Sequence, residues 1–483
     1  METLEKSLKI TAPATNNVNK NVALLIAAMS SFITPFTASS VNIALPSIDR
    51  ELLLNALELS WIATAYLLAA AIFLVPFGRI ADIYGRKRTF LFGMTIDAAA
   101  SVMCAVSHSG SWLIAFRAMQ GLGGAMIFGT GVAILTSVFP PKERGRALGI
   151  NVAAVYSGLS MGPLIGGSLT EHLGWRSIFL LNALLGLIVI TAVLWKLKGE
   201  WAGARGERFD YKGAIIYGLA MVAIMTGFSS LPAFKGGFLI LLGICGVVAF
   251  VKWELRTEQP VINMGLFKSN TVFRFSNLAA LINYSATYAV TFLLSLYLQY
   301  IKGFTPEHAG MILMIQPFMQ IVCSPIAGSL SDKFEPRVLS SAGMAMTVTG
   351  LLLLTSLSSN TRLIFIMLTL AILGIGFGFF SSPNINAVMS SVEKRFYGVA
   401  SGMLGTMRLT GQMFSMGMTL LLFSLYIGPV QIMPENYPLF LTCLKTAFII
   451  SAVFCFAGIF ASIARGKTHV ESQASKNEKK QRR

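Results

Sequence analysis

Apolar runs of about twenty residues, separated by short polar stretches, recur along this chain. A helix that crosses the hydrocarbon core of a bilayer needs roughly 20 mostly apolar residues. That rule predicts fourteen spanning helices, at about 22–44, 58–78, 89–107, 112–138, 146–170, 177–195, 213–231, 236–252, 271–299, 309–330, 338–357, 362–383, 398–426 and 444–464. The predicted fold class is an all-α polytopic membrane protein. Because the count is even, both termini fall on one side. The first apolar run has no small-residue cleavage site after it and reads as a retained helix rather than a signal peptide.

The densest polar stretch is Gly78-Arg79-Ile80-Ala81-Asp82-Ile83-Tyr84-Gly85-Arg86-Lys87-Arg88. A charge knot of this kind between two apolar runs cannot lie in lipid, so it reads as a short loop at a membrane face. Short cytoplasmic loops collect Lys and Arg. With the N-terminus inside, 30 of the 38 Lys and Arg fall in cytoplasmic tails and loops and 6 on the external side, while Arg117 and Arg408 lie within helices. The bias predicts cytoplasmic termini.

The pattern also repeats, at an offset near 250 residues. Gly78-Arg-Ile-Ala-Asp82 recurs as Gly328-Ser-Leu-Ser-Asp332, Glu143–Gly149 is echoed by Glu393–Gly398, and Gly121-Leu-Gly123 by Gly374-Ile-Gly376. Each repeat holds six helices, which makes helices seven and eight an insertion. The predicted domains are an N-terminal tail (1–21), a six-helix bundle (22–196), a linker with two inserted helices (197–270), a second bundle (271–464) and a basic, solvated tail (465–483). Two bundles related by an axis along the membrane normal form a transporter architecture with a central substrate path.

Composition supports the class. The chain has 483 residues, 54% hydrophobic and only 12% charged, about half the charged share of a soluble protein. The net charge of +17 lies in loops rather than in a basic domain, so nucleic acid is not the expected partner. The expected partners are a small-molecule substrate, protons and the lipid bilayer, and the chain is expected to be a monomer. Cys104, Cys245, Cys323, Cys443 and Cys455 have no CxxC spacing, so neither a disulfide nor a metal site is predicted. No cofactor is expected. His108, His172, His308 and His469 are read as lying in loops or the tail, and no nucleophile–base set appears; an enzyme is not predicted. Gly121-Leu-Gly123-Gly124 has no preceding strand, which excludes a nucleotide loop.

Four motifs carry mechanism. In the loop 78–88, Gly78 and Gly85 permit tight turns, and Asp82 can anchor to a helix N-terminus, which favours an anion. Arg86 with its neighbours supplies the topological charge. Arg117 lies inside helix four, where an arginine costs on the order of 3 kcal/mol; it must face the bundle interior and find an acceptor. In helix five, Gly158, Gly162, Gly166 and Gly167 remove side chains from one stripe and permit close helix approach, while Pro163 favours a bend. Asp97 is the one clear mid-membrane acid. It lies about 7–8 Å along the helix axes from Arg117, from the helical rise per residue, so it reads as a proton carrier, as a buried structural pair with Arg117, or as another interhelical contact.

These motifs resemble the major facilitator superfamily, and within it the fourteen-helix drug:proton antiporter family. The resemblance runs from about 22 to 464 and rests on 78–88, on Leu113–Gly123 around Arg117, on Gly158–Gly167, and on Asp210 with Gly213 and Pro260–Phe267 flanking the inserted pair. It implies that Asp82 meets the start of a second-half helix near Gly398 and latches the cytoplasmic side. It further implies that Arg117 takes part in proton transfer and that 158–167 forms a dry, rigid seam. Arg117 as a structural tether stands beside that role. The family usually places an acid in helix one, where this chain has Thr37, a few residues before Asn42-Ile-Ala-Leu-Pro46. Helix two has Thr64 where some relatives carry an acid. Candidate cavity residues are Phe36, Thr37, Asn42, Met126, Asn283, Tyr284, Tyr288, Gln316, Phe380, Asn384 and Arg408. The expected function is secondary active export of small amphiphilic compounds against inward proton flow, across the plasma membrane. A metabolite or siderophore exporter and a non-transporting membrane sensor are the alternatives.

Overall fold

A computed structural model describes residues 19–140, 143–257, 270–331, 333–392 and 397–466. Among the described residues the regular structure is helical, with fourteen helices of membrane length: α1 Lys20–Leu52, α2 Ala56–Tyr84, α3 Arg86–Ala105, α4 Gly110–Val138, α5 Arg144–Leu173, α6 Arg176–Lys196, α7 Tyr211–Ser230, α8 Phe234–Glu254, α9 Thr271–Ile301, α10 Pro306–Ser331, α11 Pro336–Leu354, α12 Leu363–Ser390, α13 Tyr397–Tyr426 and α14 Tyr437–Ala464. The last residues of α9, Tyr297–Ile301, are wound as π-helix, and α10 is interrupted at Met314. Thirteen of the fourteen are long and apolar enough to cross a bilayer. The exception is α3, which opens on Arg86-Lys87-Arg88 and carries Asp97.

The helices run longer than the apolar runs that predict them. α1 continues through Pro46 to Leu52 and ends at Leu53, a non-glycine residue with φ of 51°. Arg50, expected in an external loop, is therefore in its last turn. α2 continues through Gly78 to Tyr84, with the chain breaking only at Gly85, φ 128°. The predicted loop 78–88 is thus two helix ends and a one-residue hinge. Gly85 provides the turn and Gly78 does not. Polar ends of helices leave the hydrocarbon without unwinding, because their backbone bonds stay satisfied internally. His172 and His308 likewise lie at the ends of α5 and α10 rather than in loops.

The two halves repeat each other in packing as well as in sequence. In α1–α6, the contacting pairs include α1 with α4, α5 and α6, α2 with α4, and α3 with α4 and α6. The same pairs, displaced by eight helices, build α9–α14. The glycines follow the symmetry. A Cβ on Gly121 would lie 2.2 Å from the Tyr66 carbonyl oxygen of α2, and one on Gly123 2.8 Å from the Gly93 carbonyl oxygen of α3. Gly374 meets Gln316 O of α10 at 2.3 Å and Gly376 meets Gly343 O of α11 at 2.8 Å. In each half, the fourth helix is wedged between two others at backbone contact.

Across the molecule, α5 packs on α10, α2 on α13 and α1 on α9. The first two are symmetry-related seams. Only the α2/α13 seam carries the inserted pair: α7 packs on both helices, Tyr217 Oη donates to Ala71 O at 3.4 Å, and Ser424 Oγ donates to Leu231 O. α8 lies outside α7 and presents Phe234, Phe238, Leu241, Leu242 and Ile244 outward, which suits a helix facing lipid.

The glycine stripe of α5 has a clear target. Cβ atoms on Gly158 and Gly166 would lie 2.4 Å from Phe32 O and 2.6 Å from Ser40 Cβ of α1, and one on Gly162 would overlap Ser39 Oγ. Gly167 faces Pro306 O of α10 at 2.5 Å. Pro163 sits within an uninterrupted helix. Overpacking such a backbone contact costs about 1–3 kcal/mol. Gly158→Ala is therefore expected to lower the thermal unfolding midpoint of the detergent-purified protein. Gly131→Ala is the control: it has nothing within 4 Å of its Cβ, and is expected to be neutral or stabilising by about 1 kcal/mol through helix propensity.

Candidate functional site

Three polar constellations stand out from the apolar packing. The first runs through the first half. Thr37 Oγ1 of α1 donates to Asn182 Oδ1 of α6. Asn182 Nδ2 donates to Asp97 Oδ2 at 2.9 Å and to Ser101 Oγ at 2.7 Å, both on α3. Ser101 Oγ also accepts from Gln120 Nε2 of α4 at 2.7 Å, and Gln120 Oε1 accepts from Arg117 Nη1. Arg117 Nε donates to Ile62 O of α2 at 3.2 Å, and the guanidinium lies 4.5 Å from the centre of the Tyr66 ring. Thr37, Asp97, Ser101, Arg117, Gln120 and Asn182 are all 3% exposed or less.

This chain joins three sequence-predicted residues, Thr37, Asp97 and Arg117. Among the described residues, Asp97 and Arg117 form no direct ion pair; Asn182, Ser101 and Gln120 stand between them. The reason is register. Gly123 of α4 packs on the Asp97 backbone, so Arg117 lies more than a turn away along α4 and reaches Gln120 on its own helix instead. Asn182 and Ser101 were missed by sequence reasoning, and Gln120 entered it only as part of the stretch Leu113–Gly123. Their signals were Asn182 as the lone amide in the apolar run 177–195, and Ser101 one turn after Asp97.

The second constellation lies at the membrane face opposite Gly85 and joins the halves. Asp49 of α1 accepts from Tyr300 Oη of α9 and from Gln431 Nε2 at 3.1 Å. Ser295 Oγ donates to Asn42 O at 2.7 Å, and Gln299 Nε2 to Ile43 O at 2.9 Å. Ala56 N donates to Val430 O at 2.9 Å, and Glu307 N to Glu171 Oε2 at 3.0 Å. His172 and Glu307 pair at 3.2 Å. Gly310 packs on the Pro163 carbonyl oxygen, 2.1 Å from where its Cβ would stand. This face is closed. Asp49 was not foreseen, because it reads as part of the external loop that follows the first apolar run.

At the Gly85 face the linker folds onto the charged turn. Asp82 pairs with Arg86 at 2.7 Å, and Arg86 also donates to Ala133 O and Ser137 Oγ of α4. Glu200 accepts from the backbone N–H of Lys87 at 2.8 Å and of Arg88 at 3.2 Å. It thereby caps α3, which has no side-chain cap of its own. Arg86 N donates to Trp201 O, Ala204 N to Asp82 O, and Arg79 pairs with Glu207. The expected contact of Asp82 with the start of α13 falls on residues 393–396 and on the side chains at 397 and 398, which lie outside what the structure describes, as do Pro260–Phe267, Asp332, and the tails 1–18 and 467–483.

The third constellation surrounds Arg408 of α13. Its guanidinium is 5.3 Å from the Phe128 ring centre of α4 and lies beside the Tyr284 hydroxyl of α9. Tyr284 packs edge-on against Phe377 of α12 at 5.3 Å, and Phe377 against Phe380 at 6.4 Å. Tyr288 lies within electrostatic reach of Arg117 and Tyr66. Gln316 has a buried Oε1 with no partner among the described residues.

The other candidate cavity residues make contacts within the bundles. Met126 faces Gly93 of α3. Asn283 reaches Cys455 Sγ of α14 at 3.9 Å. Phe36 stacks on Phe32 at 5.5 Å, and the Asn42 carbonyl belongs to the closed face. Asn384 is a tether: its Nδ2 donates to Ser276 O at 3.1 Å, and its Oδ1 accepts from Arg465 Nη1 at 3.1 Å. Arg465, just beyond α14, also donates to Ser462 Oγ at 2.7 Å, and burial pushes its guanidinium down to about 10. Helical periodicity alone does not say which of two neighbouring helices a residue meets.

The Asp49 contacts generate a test. Losing a buried hydrogen bond to a charged group costs about 1.5–3 kcal/mol, so Asp49→Ala is expected to shift the population toward opening of this face. A cysteine introduced at Gln299 is then expected to react with a membrane-impermeant maleimide about tenfold or more faster. Equal labelling rates with and without Asp49→Ala would show that Asp49 does not hold the face closed.

Comparison with known proteins follows the same lines. The chain matches the family model described as Major Facilitator Superfamily over residues 27–251 and 277–483. It is 29% identical over 449 residues to the riboflavin transporter RibZ of Clostridioides difficile (strain 630), covering 92% of this chain and 97% of that protein. It is 30% identical over 406 residues to the multidrug resistance protein Stp of Mycobacterium tuberculosis (strain CDC 1551 / Oshkosh), covering 82% of this chain and 74% of that protein. Among solved structures, a bacterial homolog of the human lysosomal transporter Spinster, in an inward-facing and unoccupied conformation, aligns with a TM-score of 0.68 at 16% identity, over 92% of this chain and 97% of that one.

Proposed function

The chain belongs to the major facilitator superfamily, and on that premise we propose that it is a plasma-membrane exporter that moves small amphiphilic compounds outward in exchange for protons. Both termini and the Gly85 face lie in the cytoplasm, as the Lys and Arg bias indicates. The domain boundaries are those read from the repeat, and the protein works as a monomer. The two bundles rock about the central path; the closed face with Asp49 is external, and the described arrangement is the one open toward the cytoplasm.

The observation that carries the proton reading is the continuous hydrogen-bonded chain from Thr37 to Arg117. A charged or protonatable group inside a membrane bundle is costly and marks a proton or substrate path. Asp97 is the group in this chain that can gain and lose a proton. In its ionised form it accepts from Asn182, which in turn holds Thr37 on α1. Protonation weakens that acceptance, and the change reaches α1 through Asn182 and Arg117 through Ser101 and Gln120. Thr37 occupies the position of the usual helix-one acid; here the acid sits one hydrogen-bonded residue away, on α3. The linker and Arg86 hold the gating turn at Gly85, and Asp82, paired with Arg86 here, exchanges that partner as the cytoplasmic side closes.

A second reading, export of an endogenous metabolite, draws support from the absence of an acid at Thr37 and Thr64 and from the similarity to a riboflavin transporter.

Reconstitution in liposomes with an imposed pH gradient tests the exchange. Substrate-dependent proton flux is expected for some members of a panel of dyes and metabolites, and its absence for every compound would defeat the antiport reading. Asp97→Asn is expected to abolish proton-driven transport while leaving substrate binding intact, with Asp97→Glu restoring part of the flux. Unchanged proton-driven export in Asp97→Asn would remove Asp97 from the coupling path.

A further inference from the structure

Charge in the middle of this molecule is one-sided. On α1, α2, α5 and α10, every described carboxylate lies in a terminal turn: Asp49, Glu51, Glu58, Asp82, Glu171 and Glu307. α4, α9, α12 and α13 carry none among their described residues. The remaining mid-helix acid, Asp97, is on α3, which packs on α2, α4 and α6 within the first half. Against this stands Arg408 in the interior of α13, partly exposed, with no carboxylate in ion-pair contact among the described residues. Rings from both halves surround it. Phe128 lies under its guanidinium, Tyr284 beside it, and Phe377 against Tyr284. Tyr156 of α5 bonds Ser381 of α12 at 2.8 Å and brings the two halves together at this point.

We propose that Arg408 is the polar anchor of the transported compound, and that the site takes planar aromatic anions in preference to aromatic cations. The guanidinium fork matches a carboxylate with two parallel hydrogen bonds, and the surrounding rings provide stacking and edge contacts for a flat ring system. A cation placed there meets like charge without a compensating carboxylate, and opposing charge of this kind governs specificity. The inference rests on the transport reading and names its substrate class.

A matched probe pair tests it: fluorescein and rhodamine 6G share a xanthene ring system and differ in the sign of their charge. Equilibrium binding to the reconstituted protein, followed by fluorescence anisotropy without a gradient, is expected to favour fluorescein by about tenfold or more, the size of one charge-assisted hydrogen bond. Arg408→Gln is expected to remove that preference while leaving rhodamine 6G binding unchanged or improved, and Arg408→Lys to keep part of it. Tighter binding of rhodamine 6G by the wild-type protein, or equal loss of both probes in a folded Arg408→Gln, would overturn the proposal. If Arg408→Gln does not fold, the wild-type preference and its partial retention in Arg408→Lys decide the question. A retained fluorescein preference with no proton-driven flux would sink the antiport reading and leave this one standing.

Discussion

An arginine buried within a membrane bundle, as Arg117 is, has to be neutralised or hydrogen-bonded by its own protein, because neither water nor a lipid headgroup reaches it. Arg117 meets that requirement without a carboxylate in contact: a backbone carbonyl of α2, the Gln120 amide and the face of Tyr66 share the charge. The consequences spread outward. Gln120 needs a partner for its amide N–H and takes Ser101; Ser101 shares Asn182 with Asp97; Asn182 takes the Thr37 hydroxyl. Satisfying one buried cation has tied five helices of one half into a single polar chain, with the one protonatable group near its middle. A buried network of this kind is strong when complete and costly when broken.

The remaining mechanics follow from where side chains are missing. Within each half, glycines let helices touch at the backbone. Between halves, two seams are related by the repeat but held differently. The α5/α10 seam has backbone contact through Gly310 and Gly167, while the α2/α13 seam is bridged by the inserted helix α7. Polar contacts close the face at Asp49, and the linker braces the turn at Gly85. Close-packed halves, two unlike seams and separate polar contacts at each face suit the rocking about a central path proposed above.

Much of this was legible in the sequence because a membrane imposes a coarse and unforgiving code. Apolar length located the fourteen helices, and the 250-residue offset anticipated a repeat that the packing reproduces helix by helix. The glycine stripe at 158–167 was read as a close-packing face, and it is one, against α1. The same code misled at helix ends. Apolar length stops at the hydrocarbon boundary, whereas backbone hydrogen bonding continues beyond it, so residues 78–84 and 45–52 read as loop and fold as helix.

What the sequence determined by itself was therefore what depends on local composition and on spacing along one helix: class, helix count, duplication, and the need of Arg117 for an acceptor inside the bundle. Only the tertiary structure decided which acceptor that is. The three-residue chain between Asp97 and Arg117, the seat of Asp49 against Tyr300, and the neighbours that Met126, Asn283 and Asn384 meet all depend on the rotation and register of one helix against another. Those are set by glycine contacts such as Gly123 on Asp97, and a displacement of a single residue along a helix turns a side chain by about 100°. No pattern along the chain encodes that angle; close packing between helices does.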